Sequence, residues 1–137
     1  MSISAAEWEI IQLMYEYNRA TDHQDFERLA VCFTETGVFV GAWATWTMRP
    51  QAHEFAEFVR NRTNVGEVRH FISHPLINVE GNTATAVTAL LMTRLDGDGR
   101  PTVELTGEYH DLLTLVDGQW LFERRTVVVD GSDFGPQ

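Results

Sequence analysis

The spacing of apolar residues divides the chain into two parts. Up to about residue 66 they recur every three or four positions, as in amphipathic helices, and from Val68 onward they alternate, as in strands. Ser4 and Glu7 form a capping box at the start of the first part, and Asp25 can cap a second helix. The pattern predicts helices over Ala5–Thr21, over Phe26–Phe33, and from Pro50 to about Asn64.

Four long strands are predicted in the second part, because clusters of turn-forming residues separate its alternating stretches. They cover Val68–Val79, Thr83–Leu95, Thr102–Val116 and Trp120–Val129, and a short strand at Val38–Val40 precedes them. Pro75 cannot donate a ladder hydrogen bond, so we expect a bulge or bend there. Helices followed by an antiparallel meander indicate an α+β fold, with a pocket between the helices and a curved sheet. The tail after residue 129 is predicted to be loose.

The length and charge of the chain narrow its class. A chain of 137 residues predicts one domain spanning 1–137, and a net charge of −10 opposes binding to nucleic acid or anionic lipid. No apolar run approaches the roughly 20 residues that span a bilayer, and the first residues lack a signal-peptide pattern, so we expect a cytoplasmic protein. Cys32 stands alone in an apolar run, which favours a buried core thiol over a nucleophile.

Cofactor and metal motifs are missing from the sequence. It contains no GxGxxG before a helix, no phosphate-binding GxxxxGK[ST] loop and no GxSxG elbow, so we expect chemistry performed by side chains without a cofactor. The best pair of metal ligands is His70 and His74, which share one face of an evenly alternating strand. Pro75 disturbs that geometry and no third ligand follows at a recognisable spacing, so no metal site is predicted.

His70 is the best candidate for a catalytic base. It lies in a strand that should line the core, and an imidazole with the ordinary pKa of about 6.5 can accept a proton at neutral pH. Asp22 ends the first helix, where its carboxylate can face the pocket and orient the imidazole. The alternative is that His70 is a structural histidine and Asp22 an ordinary helix-end residue.

Four short motifs stand out along the chain, in this order: Tyr17 with Asp22, Asp25 and Phe26; Arg69-His70-Phe71; Gly107, Tyr109 and Asp111; and Trp120, Phe122, Arg124 and Arg125. Together they resemble the SnoaL-like group of the nuclear-transport-factor-2-like (NTF2-like) superfamily. The resemblance covers roughly residues 5 to 130 and is strongest to the branch with scytalone dehydratase, bile acid 7α-dehydratase and hexachlorocyclohexane dehydrochlorinase.

The resemblance implies a cone-shaped fold, three N-terminal helices on a mostly antiparallel sheet, and a dehydratase-type lyase acting on an apolar cyclic molecule. It implies that His70 is the base, Asp22 its partner, Tyr17 a hydrogen-bond donor and Arg125 a group that stabilises the leaving group or a developing enolate. The alternative for Tyr17 is core packing, and that for the arginine is a surface ion pair with Glu104, Glu108 or Asp111. The alternatives to the lyase are a ketosteroid-isomerase-like isomerase or polyketide cyclase, and a non-catalytic subunit or ligand-binding protein such as the small subunit of ring-hydroxylating dioxygenases.

Other residues are predicted to bind substrate, although plain packing would explain the apolar ones equally well. They are Phe39, Trp43, Trp46, Phe55, Phe58, Met92, Thr88 and His110, of which His110 has a surface or subunit contact as its alternative. Arg124 and Arg125 must point to opposite faces of their strand, so one of them should face outward. The resemblance also implies a homotrimer, with a dimer as the alternative, held through Leu112–Val116 and Val127–Val129.

Overall fold

The computed structural model describes residues 3–131, which form three helices and six strands. They are α1 Ala5–Asp22, α2 Phe26–Ala30, β1 Phe33–Val40, β2 Thr45–Thr47, α3 Ala52–Arg60, β3 Val68–Glu80, β4 Thr83–Leu95, β5 Pro101–Val116 and β6 Gln119–Val129. The strands form one sheet in the order β2-β1-β6-β5-β4-β3. All neighbours are antiparallel except β1 and β6. The sheet is curved and unclosed, which confirms the predicted α+β cone-shaped fold.

The start of α1 follows the predicted capping box. Ser4 Oγ accepts a hydrogen bond from the Glu7 backbone N–H at 3.1 Å and donates one to Glu7 Oε1 at 2.9 Å. Ile10, Met14 and Tyr17 then recur on one face of the helix and are buried. That face packs against the concave side of the sheet and forms the core there.

The second and third helices are shorter than predicted. The α2 helix ends at Ala30, because the chain turns at Val31 and Phe33 already begins β1, which pairs in parallel with β6. Phe33 is fully buried as a strand residue, so its apolar character reflects the sheet and not helix α2. The α3 helix starts at Ala52 and ends at Arg60, where a turn directs two backbone N–H groups to the Val59 carbonyl.

The four meander strands lie where the alternation predicts them, and the irregularity at Pro75 is confirmed. The register between β3 and β4 shifts between Ser73 and Leu76, and His74 has a φ of +56°. The predicted tail falls largely on residues 132–137, which lie outside the described residues. Within residues 3–131, no helix is long and apolar enough to cross a membrane.

Cys32 lies in the core beside the β1 strand, as its apolar surroundings predict. Its side chain is buried and forms no disulfide. Burial raises the pKa of the thiol to about 12. The thiol is therefore protonated at neutral pH and packs as a small apolar group.

Candidate active site

A cavity of about 440 Å³ lies between α1, α3 and the concave face of the sheet. Its wall is mostly apolar and aromatic, as a site for a small apolar molecule requires. The structure places six of the predicted binding residues on this wall: Phe39, Trp43, Trp46, Phe55, Phe58 and Met92. Three of the four predicted catalytic residues, Tyr17, Asp22 and His70, lie on the same wall.

Asp22 and His70 form a tightly bonded pair inside the cavity. His70 Nδ1 lies 2.7 Å from Asp22 Oδ1, and the His70 backbone N–H reaches the two carboxylate oxygens at 3.1 and 3.3 Å. Both side chains are only 15% exposed. A carboxylate that accepts the Nδ1 proton leaves Nε2 as the ring nitrogen able to take a proton from a molecule in the cavity.

Asp22 and His70 are 48 positions apart, and they meet because α1 ends beside the start of β3 and a hydrogen bond holds the intervening segment there. Asp22 is the last residue of α1, and His70 is the third residue of β3. Immediately after α1, Gln24 adopts a φ of +55° and its side-chain amide donates to the Thr63 carbonyl at 2.8 Å. This bond ties the turn after α1 to the segment that leads into β3, so the carboxylate stays against the strand.

Tyr17 and Tyr109 add two hydroxyl-bearing rings to the wall. Their rings meet edge to face with centroids 5.8 Å apart, and both are almost fully buried. Burial raises the pKa of Tyr17 well above 10 and that of Tyr109 to about 12, so both hydroxyls remain neutral donors at physiological pH. Sequence reasoning did not identify Tyr109 as a site residue. The alternation of β5 could have found it, because Leu105 and Tyr109 share the inward face.

Arg125 faces inward and Arg124 is exposed, which settles the orientation of this pair. Arg125 does not line the cavity, however. Its guanidinium carbon lies 3.6 Å from the Tyr109 ring centroid and 4.3 Å from that of Tyr17, so the two tyrosines cover it. The predicted contact between Arg125 and a leaving group is therefore not available in this arrangement. The strand alternation predicted that the two arginines face opposite ways, and the resemblance implied that Arg125 is the inward one. The rings that pack on that face were not visible in the sequence.

Arg125 is instead paired with Asp111 on the neighbouring strand. Its Nε lies 3.1 Å from Asp111 Oδ1, and both side chains are completely buried. The two groups form an ion pair without hydrogen-bond geometry, and neither finds another hydrogen-bond partner among residues 3–131. Burial raises the pKa of Asp111 to about 6, although the Arg125 charge acts in the opposite direction.

Thr88 and His110 do not line the cavity, contrary to the prediction. Thr88 is fully buried under α1, with its hydroxyl 3.7 Å from Met14 Sδ, because the helix covers the sheet at this point. His110 lies between two inward residues of β5, so the alternation of the strand turns it outward. There its Nε2 lies 3.0 Å from Glu108 Oε1.

The mouth of the cavity is polar and was not predicted. It carries two arginines, Arg62 and Arg94, together with Thr63, Asn64 and Glu104. The described part of the chain contains no group of three or more His, Cys, Asp or Glu side chains that could hold a metal ion. His74 is exposed beside the β3 bulge, where its Nδ1 lies 2.7 Å from Ser73 Oγ.

The chain is similar to known proteins over most of its length. A family model described as a SnoaL-like domain matches residues 2–126. Rv3472, a protein of unknown function from Mycobacterium tuberculosis, is 30% identical over 92% of this chain and 72% of its own, with a TM-score of 0.82. No curated protein matches the chain.

Two further solved structures share the architecture. A scytalone dehydratase-like protein from Novosphingobium aromaticivorans is 25% identical, with 94% of this chain and 87% of that chain covered and a TM-score of 0.75. A beta subunit assigned to an aromatic-ring-hydroxylating dioxygenase of the same bacterium is 17% identical, with 95% and 92% covered and a TM-score of 0.79. At that identity, the second likeness shows the fold alone.

Proposed function

The chain belongs to the SnoaL-like family, in a superfamily that includes dehydratases, polyketide cyclases and dioxygenase subunits, and we propose that it is a cofactor-free lyase. It eliminates water or a related leaving group from an apolar cyclic small molecule. His70 is the base and Asp22 its carboxylate partner. The observation that carries this proposal is the 2.7 Å contact between Nδ1 and Oδ1 on the wall of a mostly apolar cavity.

The reaction begins when His70 Nε2 removes a proton from the carbon next to a carbonyl group. The C–H electron pair forms an enolate, and its collapse expels the leaving group from the adjacent carbon together with the bonding pair. In a substrate without a carbonyl group, such as a polyhalogenated cyclohexane, the C–H electron pair forms the new double bond in the same step in which the halide leaves with its bonding pair. A departing hydroxide takes a proton from the imidazolium or from the Tyr17 hydroxyl and leaves as water; in the second case the imidazolium proton restores Tyr17. Asp22 stabilises the imidazolium while it exists, and such acid–base assistance contributes about 10²–10⁴-fold in rate.

Tyr17 and Tyr109 support the enolate in this scheme. Both are neutral hydroxyl donors on the cavity wall, and a donor aimed at a developing oxyanion stabilises the transition state more than the ground state. The same observation favours a second candidate, a proton shift of the ketosteroid-isomerase type or a polyketide cyclisation, because these reactions also pass through an enolate. A non-catalytic subunit would need neither the paired base nor these donors.

Turnover in heavy water, followed by NMR, tests the proposal and separates the two enzymatic candidates. The substrates are cyclic β-hydroxy carbonyls, polyhalogenated cyclohexanes and a Δ5-3-ketosteroid, and the variants are His70→Ala and, as control, His110→Ala. Release of water or halide by the wild type and the control, but not by His70→Ala, supports the lyase. A product with a shifted double bond or with deuterium incorporated from the solvent, formed without loss of a leaving group, indicates the isomerase. Full activity in His70→Ala contradicts both enzymatic candidates.

We also propose that the outer face of the sheet binds further copies of the chain, as a trimer with a dimer as the alternative. Phe71, Leu91 and Leu112 lie on three adjacent strands and are 43%, 37% and 42% exposed. Val127 and Val129 face inward and are buried, so only Val128 of the three predicted valines is available. Sedimentation equilibrium gives the mass in solution, and a monomer would contradict this assembly.

A further inference from the structure

Arg62 at the cavity mouth differs from the other charged groups on the cavity wall. Four side chains on the wall can carry a full charge besides His70: Asp22, Arg62, Arg94 and Glu104. Asp22 is bonded to His70, and Arg94 and Glu104 are bonded to each other. Arg62 has no carboxylate partner within residues 3–131, although its exposed position would allow one.

Arg94, the other arginine at the mouth, has a hydrogen-bond partner for each of its three guanidinium nitrogens. Its Nε lies 3.1 Å from Glu104 Oε2, its Nη1 lies 3.0 Å from Glu67 Oε1, and its Nη2 donates to Thr63 Oγ1 at 3.4 Å. All three nitrogens are used, and two carboxylates neutralise its charge. Arg94 therefore holds the mouth together and has little capacity left for a ligand.

The Arg62 side chain is held in place without being neutralised. Its guanidinium carbon lies 3.8 Å from the centroid of the Phe58 ring, and its Nη1 donates to the Phe58 carbonyl at 3.0 Å. Phe58 itself lines the cavity. One of the five N–H donors of the fork is used by this bond, and the positive charge remains. Because the side chain is already positioned, a ligand loses less conformational entropy in engaging it.

The backbone around Arg62 is fixed as well. The N–H groups of Arg62 and Thr63 both donate to the Val59 carbonyl at 2.9 Å, and the Thr63 carbonyl accepts from Gln24 at 2.8 Å. The Gln24 bond links this segment to the turn that follows Asp22. The cation at the mouth and the base inside are therefore held in one framework.

We propose that the substrate of this site is an amphipathic acid, a ring-containing molecule with a carboxylate that pairs with Arg62 while its apolar body fills the cavity. The planar fork of arginine matches a carboxylate through two parallel hydrogen bonds. The chain as a whole carries a net charge of −10 and repels anions, so an acid needs such a local cation to bind. This inference deepens the proposed function and rests on it only in taking the cavity as the substrate site.

Binding of two matched probes tests the inference without requiring turnover. The probes are 2-naphthoate and its neutral near-isostere 2-naphthamide, titrated calorimetrically against wild type, Arg62→Gln and the control Arg60→Gln. Arg60 carries the same charge two residues earlier but lies over Phe26 and does not line the cavity. We expect the wild type to bind naphthoate about threefold more tightly than naphthamide, as for a partly exposed ion pair. The preference should shrink when salt is raised from 20 to 200 mM.

The comparison of Arg62→Gln with Arg60→Gln tests whether Arg62 is the group that binds the carboxylate. The inference requires that Arg62→Gln abolish the preference for naphthoate with little change in naphthamide binding, and that Arg60→Gln retain it. Equal affinity of the wild type for the two probes overturns it, as does a preference that survives in Arg62→Gln or failure of both probes to bind. An inactive His70→Ala enzyme that still prefers naphthoate would separate this result from the fate of the lyase proposal.

Discussion

Within residues 3–131, two pairs of a carboxylate and a basic side chain lie away from the surface, and they differ in their geometry. Asp22 and His70 are each 15% exposed, lie on the cavity wall and are joined by a 2.7 Å contact. Asp111 and Arg125 are completely buried and lie 3.1 Å apart without hydrogen-bond geometry. The first pair is open to a small molecule, whereas aromatic rings cover the second.

This difference separates a pair that can take part in a proton transfer from a pair that stabilises the fold. An imidazole changes its charge near neutral pH, so a carboxylate beside it can assist a proton transfer. A guanidinium stays protonated under all ordinary conditions, so its carboxylate partner can only balance its charge. We therefore expect changes in the first pair to affect turnover and changes in the second to affect stability.

The largest effect is expected for Asp22→Asn. The amide can still accept from the His70 backbone N–H, but its NH₂ group favours the tautomer with a proton on Nε2, which cannot act as a base. With any substrate that the wild type turns over, kcat should fall by about 10²–10⁴-fold. The free energy of unfolding, measured by urea denaturation, should fall by only about 1–2 kcal/mol.

Asp25→Asn is the matched control for that prediction. Asp25 caps α2 three residues later and does not line the cavity, and asparagine caps helices about as well as aspartate. Its turnover should match that of the wild type. Normal turnover by Asp22→Asn, or an equal loss in Asp25→Asn, would refute the role given to the Asp22 carboxylate.

The next largest effect is expected for the buried Asp111–Arg125 pair, whose contribution to the free energy of unfolding depends on pH. Burial raises the pKa of folded Asp111 to about 6, above the ordinary value near 3.9 of an unfolded aspartate. The folded state therefore binds more protons than the unfolded state between about pH 4 and 6. The contribution of protonated Asp111 to the free energy of unfolding is fully present below about pH 4. It falls by on the order of 2–3 kcal/mol as the pH rises from 4 to 6.

Arg125→Met extends this loss to higher pH. Without the guanidinium charge the pKa of Asp111 rises further. The folded state then binds a proton that the unfolded state releases, and this difference lowers the free energy of unfolding up to a higher pH. We expect a loss of about 3 kcal/mol or more at pH 8 and a smaller loss at pH 5, measured by urea denaturation. Arg124→Met, on the exposed face, should change stability by less than about 0.5 kcal/mol. Equal losses for Arg125→Met at the two pH values would contradict this account.

Local signals in the sequence predicted the fold for physical reasons. The capping box, the change from helical to alternating spacing and the turn clusters are local signals, and each produced an element close to its predicted position. The pairing of Asp22 with His70 came from the resemblance to a family. Local signals could not supply it, because contact between residues 48 positions apart depends on how α1 meets β3.

Two of the three incorrect placements of site residues share one cause, which is that alternation gives the face of a residue but not what covers it. The third is His110, which alternation itself places on the outer face, between two inward residues of β5. Thr88 and Arg125 do face inward, yet α1 covers the first and two tyrosine rings cover the second. The end of α2 was misplaced for a related reason. Phe33 fits a helical period, but its long-range parallel pairing with Phe122 makes it a strand residue.

Tyr17→Phe should have the smallest effect and tests the boundary between the two pairs, since Tyr17 lines the cavity and also covers Arg125. Phenylalanine keeps the ring over the guanidinium and removes only the hydroxyl. We expect kcat/KM to fall by about tenfold, the value of one hydrogen bond, while the free energy of unfolding changes by less than about 1 kcal/mol. Tyr15→Phe, half-exposed on the same helix, should change neither quantity. Unchanged turnover in Tyr17→Phe would make Tyr17 part of the packing around Arg125 alone, and the donors on the wall would reduce to Tyr109.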